Sequence, residues 1–249
     1  MPRRYKFAAL SDKGLVREVN EDNYGFVQYQ DEFPFVCIVA DGMGGHLNGE
    51  LASKIAVDFA QEKLSKDLPL HNDAPKIQGV LNDVIQKANI KVYLNSLETP
   101  KNKGMGTTLT IAAFYESSVY VAHIGDSRCY LLRNRYLEAL TEDHTVVHEM
   151  LEAGTISPAE IYTHPQRHVL TQALGCAEYL RPDLIHLDLK RRDRFLLCSD
   201  GLHGFVDEGI IESSMVGLDD PEEICQALVD EAIAKGGQDN ITVVSLIYE

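Results

Sequence analysis

Four times in this chain an apolar, strand-like run is tied to an aspartate. Ile38-Val39-Ala40 leads into Asp41-Gly42, His123-Ile124-Gly125 into Asp126-Ser127, Leu196-Leu197-Cys198-Ser199 into Asp200-Gly201, and Asp239-Asn240 stands just ahead of Ile241-Thr242-Val243-Val244. A further acidic pair, Glu21-Asp22, precedes the run that begins at Tyr24. One Asp-Gly after a strand is ordinary turn chemistry, because Asp bonds its own backbone and Gly accepts positive φ. Four such sites in one chain are poorly explained that way. Strand ends of a sheet can converge on one edge, and carboxylates gathered there repel each other unless cations sit between them.

The rest of the chain supports a sheet-based fold. Lys6 to Leu10, Tyr24 to Tyr29 and Phe35 to Ala40 are short β-branched or aromatic runs separated by Gly14, Asp31 and Pro34. Helical spacing follows over Gly49 to Leu68 and Pro75 to Leu97; in the second, Ile77, Val80, Leu81, Val84, Ile85, Ala88 and Val92 form one apolar stripe. Strands return at Thr107 to Tyr115, Ser118 to Ile124 and Arg128 to Arg133, joined by tight turns that favour antiparallel pairing. Asp143 to Gly175 breaks into short helical pieces and a His-rich loop, an irregular stretch of the kind that serves as a lid. Leu184 to Leu189 and Arg194 to Cys198 read as strands, and a last helix starts at Asp220-Pro221-Glu222-Glu223, with Asp as cap and Pro in the first turn. Gly236 and Gly237 end it, and Ile241 to Tyr248 is the final strand. No repeat or linker interrupts the 249 residues, so one domain over 1–249 is expected. Hairpin-paired strands with grouped helices point to an α+β class rather than a doubly wound parallel sheet.

Composition narrows the function. With 23 Lys and Arg against 38 Asp and Glu, the net charge is −15, and no concentrated basic patch offsets it, so nucleic acid is not an expected partner. A hydrophobic content of 45% excludes a disordered chain. No apolar run is long enough for a membrane span, and no signal-peptide core follows the basic start, so a cytoplasmic location is expected. Cys37, Cys129, Cys176, Cys198 and Cys225 lack the pairing of a zinc site and read as reduced core thiols.

If the acids converge, the donor set is all oxygen, which selects hard cations such as Mg²⁺ or Mn²⁺. Two such ions can deprotonate a water near neutral pH and neutralise a phosphate ester under in-line attack. An Arg should then hold the phosphate, and Arg17, in Gly14-Leu15-Val16-Arg17-Glu18-Val19-Asn20-Glu21-Asp22, is the nearest candidate in sequence. Rival motifs fail. Gly44 to Gly49 has Walker-type spacing but continues with Glu50-Leu51 instead of Lys-Ser/Thr. Cys129 to Arg135 has the Cys-x5-Arg spacing without a glycine cradle, and His148-Glu149-Met150-Leu151 is followed by Glu152 where a zincin needs His. Ser199 lacks a nucleophile elbow.

Six ordered motifs then carry a family resemblance: Arg17-x-x-Asn20-Glu21-Asp22, Asp41-Gly42-Met43-Gly44-Gly45-His46, Gly106-Thr107-Thr108, Gly125-Asp126-Ser127-Arg128, Ser199-Asp200-Gly201-Leu202 and Gly236-Gly237-x-Asp239-Asn240-Ile241-Thr242. From about Phe7 to Tyr248 the chain resembles the bacterial metal-dependent Ser/Thr protein phosphatases of type 2C. The resemblance implies a central antiparallel β-sandwich flanked by helices on both sides, with a flap at about 145–174. It implies two Mg²⁺ or Mn²⁺ ions: Asp41 bridging them, the Gly42 carbonyl on one, Asp200 and Asp239 on the first, and Glu21 or Asp22 acting on the second. Asp126 corresponds to the acid for a third, weaker ion, and Arg17 to the phosphate-binding residue. The implied reaction is hydrolysis of phosphoserine or phosphothreonine in proteins by direct attack of a metal-bridging hydroxide, with a Ser/Thr kinase as an expected partner.

Met43 departs from the animal enzymes of this class, which carry a His there as proposed general acid. Met cannot donate a proton, which leaves a metal-bound water, His46 or the flap residue His168 as alternatives. Two other functions compete: a catalytically inactive binding module on the same fold, and a small-molecule phosphatase. An inactive relative is expected to have lost Asp41, Asp200 or Asp239, and all three are present.

Overall fold

A computed structural model of the chain describes residues 5–29, 33–44, 48–161, 163–176 and 178–249. Eleven strands and seven α-helices are assigned among these residues. The strands are β1 (Tyr5–Asp12), β2 (Asp22–Gln28), β3 (Phe35–Met43), β4 (Gly106–Thr107), β5 (Leu109–Phe114), β6 (Ser118–Ile124), β7 (Arg128–Arg133), β8 (Tyr136–Ala139), β9 (Asp183–Asp188), β10 (Arg194–Cys198) and β11 (Ile241–Tyr248). The helices are α1 (Asn48–Asp67), α2 (Ala74–Glu98), α3 (Val146–Glu152), α4 (Pro158–Ile161), α5 (Asp200–His203), α6 (Glu208–Gly217) and α7 (Pro221–Ala234).

Two antiparallel sheets form. One runs β1-β11-β10-β7-β8; the other runs β2-β3-β5-β6-β9, with β4 added to β3. Both are buried on two faces, which is why their inner strands read as continuous apolar runs instead of alternating with polar residues. In β3 the period-2 geometry sends Phe35, Cys37 and Val39 into the space between the sheets, where they join Phe114, Phe195, Leu197 and Val244. Val36, Ile38 and Ala40 turn the other way, onto Ala52, Ala56, Ala60 and Leu64 of α1 and Leu81 and Ile85 of α2. On the far side, Leu196, Cys198 and Val243 pack against Ile211 and Met215 of α6 and Ile224, Cys225 and Leu228 of α7. The result is four layers, helix-sheet-sheet-helix, with three apolar cores.

The helix starts follow the sequence signals. Asp73 caps α2 by accepting from the Lys76 N–H, and Asp220 caps α7 by accepting from the Glu222 N–H at 2.9 Å. Gly236 and Gly237 end α7 at φ of 121° and 51°, a conformation that disfavours other residues. Three features differ from sequence expectation. The run from Thr107 to Tyr115 is broken at Thr108, because Thr108 turns its backbone N–H to the Asp41 carbonyl at 2.9 Å. Helix α6 contains Gly209, Ser213, Ser214 and Gly217, so its local propensity is weak, and burial of Ile211 and Met215 holds it in place. Cys176 is exposed, whereas the other four cysteines are buried as expected; all five are free thiols. Among the described residues no helix is long and apolar enough to cross a membrane.

Strand direction fixes where the acids meet. Strand β5 is antiparallel to both β3 and β6, so β3 and β6 run the same way and end at the same edge. Strand β2 is antiparallel to β3 with Asp22 opposite Asp41, so its start lies at that edge too. In the other sheet β10 is antiparallel to β11, which puts the end of β10, before Asp200, beside the start of β11, after Asp239.

Candidate metal centre

These strand ends open into a cleft of about 510 Å³ lined by Arg17, Glu21, Asp41, Gly42, Asp126, Asp200 and Asp239, with Arg167, His168 and Leu170 from the flap segment. Residues about 220 apart in sequence therefore share one site. The backbone holds each acid in place. The Asp41 N–H donates to Thr108 Oγ1 at 2.8 Å, and Thr107 Oγ1 donates to the Asp41 carbonyl at 2.8 Å. Glu21 Oε1 accepts from the Gly49 N–H at 3.1 Å, and the Glu21 N–H donates to Asn240 Oδ1 at 2.8 Å. Asn240 also donates to the carbonyls of Lys13 and Val19, clamping the loop that carries Arg17.

Two glycines allow this closeness. A Cβ on Gly42 would lie 2.1 Å from the Gly49 carbonyl oxygen, and one on Gly201 only 1.9 Å from that of Asn240. Any other residue at Gly42 would push β3 away from the start of α1, and at Gly201 would push α5 away from the loop before β11.

Asp22 is placed differently from the other acids. It does not line the cleft; it sits behind Asp41, 5% exposed, with Oδ2 accepting from Ser199 Oγ at 2.6 Å. Ser199 Oγ in turn accepts from the Thr242 N–H at 2.9 Å, which ties the floor of the site to β11. The other Asp22 oxygen, Oδ1, is buried without a hydrogen-bond partner among the described residues. Of the two acids considered for the second ion, Glu21 faces the cleft and Asp22 supports it from below.

The electrostatics show what the cluster lacks. Burial, then the neighbouring carboxylates, push Asp41 and Asp126 well above the usual carboxylate range. Burial lifts Asp22 to about 7 despite its bond from Ser199, and burial with the Asp239 charge lifts Asp200 to about 6. Burial also raises Glu21. Arg17, hydrogen-bonded through Nη2 to Asp239 Oδ2 at 2.7 Å, offsets only part of this repulsion. The clustered acids, the all-oxygen lining and the orphaned Asp22 oxygen fit divalent cations. Bound divalent cations would remove the repulsion that favours protonation.

His168 stands at the mouth, with Nδ1 3.9 Å from Asp200 Oδ2, and burial and the Arg167 charge lower its pKa. His46 lies outside the described residues. Sequence reasoning gave no role to the hydroxyl layer of Thr108, Ser127 and Ser199, to Asn240, or to His203, whose Nε2 bonds the Asp126 carbonyl at 2.8 Å. All lie within or beside the ordered motifs, but their function as supports depends on contacts across the two sheets. Arg167 and Phe205 also line the cleft and carry no comparable signal in the sequence.

Fold and site together define a carboxylate-lined cleft, of a donor chemistry that suits divalent cations, at the edge of a four-layer β-sandwich. The chain belongs to the protein phosphatase 2C family, whose model matches residues 20–241. It is 39% identical to the serine/threonine phosphatase stp of Listeria monocytogenes serotype 4b, over 94% of this chain and 92% of that protein. It is 38% identical to the serine/threonine protein phosphatase PstP of Mycobacterium tuberculosis, over 96% of this chain and 44% of that protein. Among solved structures it superposes on the S. agalactiae serine/threonine phosphatase with a TM-score of 0.92 at 30% identity, covering 98% of this chain and 100% of that one. The catalytic domain of PstP, in complex with two manganese ions, matches with a TM-score of 0.85 at 33% identity, covering 98% of this chain and 99% of that one.

Proposed function

We propose that this chain removes phosphate from phosphoserine and phosphothreonine in proteins, using two Mg²⁺ or Mn²⁺ ions held in the acidic cleft. The observation that carries this is the convergence of Asp41, Asp200, Asp239 and Glu21 around one cavity with Arg17 beside it. We assign Asp41 as the bridging ligand, the Gly42 carbonyl and Glu21 to the second ion, and Asp200 and Asp239 to the first. Asp126, on the flap side of the cleft, suits a third and weaker ion. Bound divalent ions would acidify an attacking water and neutralise the phosphoryl oxygens.

The protein's own groups do the rest. Arg17 is half-exposed and already gives one nitrogen to Asp239, so its planar fork is held where a phosphate next to that ion would lie. The Asp41 backbone, fixed by Thr107 and Thr108, keeps the central carboxylate from turning away. Asp22, bonded to Ser199, holds a further carboxyl group behind Asp41. The lowered pKa of His168 weighs against a protonated imidazole at neutral pH, so we assign it to orienting the leaving group rather than to proton donation. Cytoplasmic phosphoproteins and the kinase that makes them belong to the same proposal, and the whole of 1–249 acts as one catalytic unit with its flap.

A metal-dependent assay on a phosphothreonine peptide tests this. Chelator should abolish turnover and Mn²⁺ restore it, while undiminished turnover in chelator would refute the metal assignment. Faster turnover of nucleotides than of phosphopeptides would move the substrate class to small molecules.

A further inference from the structure

Among the described residues, one other group of metal-type donors comes together outside the catalytic cleft. Glu142, just after β8, and His148 and Glu152, one helical turn apart on α3, place a carboxylate oxygen, a ring nitrogen and a second carboxylate oxygen all within 4.8 Å of one another. We propose that these three residues bind a dication of the Zn²⁺ class, and that the ion ties flap helix α3 to the sheet.

Three observations carry this. First, His148 Nε2 is out of contact with solvent and has no hydrogen-bond partner among the described residues. It stands 3.6 Å from Glu142 Oε2, too far for a hydrogen bond. A tetrahedron of ligands about a zinc ion with bonds of about 2.0–2.1 Å has an edge of about 3.3–3.4 Å, so a small approach of the two side chains would seat the ion. Second, the donor chemistry is balanced: two carboxylates neutralise a dication, and a neutral imidazole favours zinc-like ions over Mg²⁺. The spacing of His148 and Glu152 sends both side chains to one helix face. Third, the two sides of the group belong to different parts of the fold. The Glu142 carbonyl accepts from His123 Nε2 at 3.1 Å, and His123 is fully buried in β6. His148 and Glu152 ride on α3, whose only buried residue is Val147.

An ion here would therefore fix a loosely packed helix to a loop that His123 of β6 anchors. The effect would reach the catalytic cleft, because Val147 and His148 line an adjoining cavity of about 250 Å³ that also touches Asp126, Asp200 and His168.

The test uses the full chain in millimolar Mg²⁺, titrated with Zn²⁺ against a chromophoric chelator. Wild type should bind one more Zn²⁺ than His148→Ala, and Glu152→Gln, which keeps the helix-forming shape, should weaken that ion at least about tenfold. Equal Zn²⁺ counts in wild type and both variants would overturn the site. Amide exchange across 146–152 should slow with Zn²⁺ in wild type and not in His148→Ala. Binding without that protection would overturn the tie between flap and sheet.

Discussion

Asp41 and Leu170 face the same cleft from opposite walls, and the walls are built differently. The strand-end wall is held from behind: the Asp41 backbone by Thr107 and Thr108, Asp22 by Ser199, Glu21 by Gly49 and Asn240. The flap wall is joined to the body mainly at its base. There the flap closes on itself through the Val146 N–H to the Val169 carbonyl, and meets the body where the Thr171 N–H donates to the His144 carbonyl and the Thr107 and Leu174 backbones pair. Beyond that base, α4 contributes no buried residue. Catalytic geometry needs positions held to a fraction of an ångström, which the first wall supplies. Admitting a protein substrate needs a surface that shifts cheaply, which the second wall supplies.

The contrast can be broken most strongly at the rigid wall. Asp239→Asn or Asp41→Asn should lower kcat/KM on a phosphothreonine peptide at least about a thousandfold, ~4 kcal/mol of transition-state stabilisation, with little change in the far-UV circular dichroism. Turnover near wild type in either variant would remove that residue from the ligand set.

Metal removal gives the next effect, and its sign is specific. Asp22 and Asp200 have folded pKa values of about 7 and about 6, above the ordinary 3.8. The metal-free fold thus binds more protons than the unfolded chain between those values. Its extra stability is present below about 3.8 and is lost as pH rises through 6 to 7, by on the order of 1 kcal/mol per pH unit. Denaturant melts of chelated protein should show stability falling from pH 5 to pH 7.5, and excess Mn²⁺ should remove that fall. A rise in the chelated protein would contradict the repulsion described for the cluster.

Ser199→Ala should cost about 1–3 kcal/mol, because it leaves the buried Thr242 N–H and Asp22 Oδ2 without their hydroxyl. A midpoint equal to wild type in urea would show that the hydroxyl layer is not needed for stability.

The smallest stability effect belongs to the flap. His168→Ala, at a half-exposed position, should change stability by less than about 0.5 kcal/mol. It should slow a phosphopeptide, with its poor leaving group, more than an aryl phosphate; equal slowing of both would argue against any role at the leaving group.

Much of the strand-end wall was legible in the sequence because it is written locally. Burial of both faces of a strand forces a continuous apolar run, and the acid after each run stands out against it. The caps at Asp73 and Asp220 and the glycine stop at Gly236 and Gly237 are likewise local events. Helix α6 and strand β8 were not legible. Glycine and serine weaken the first, and the second is a four-residue edge strand whose pairing with β7 leaves most of its residues exposed. The separate placement of Glu21 and Asp22 was also hidden, since adjacent residues on a strand point to opposite sides and only the partner strand decides which side meets the cleft.

The sequence by itself determined which acids are candidates, the order of the motifs and the apolar runs that require two buried sheets. The tertiary structure decided that strand directions in two separate sheets bring those acids to one edge, that Ser199 and Thr242 support Asp22, and that Glu142 comes within reach of His148. The physical reason is that propensity and burial act along the chain over a few residues, whereas carboxylate repulsion, hydroxyl support and metal geometry depend on distances between side chains on different elements.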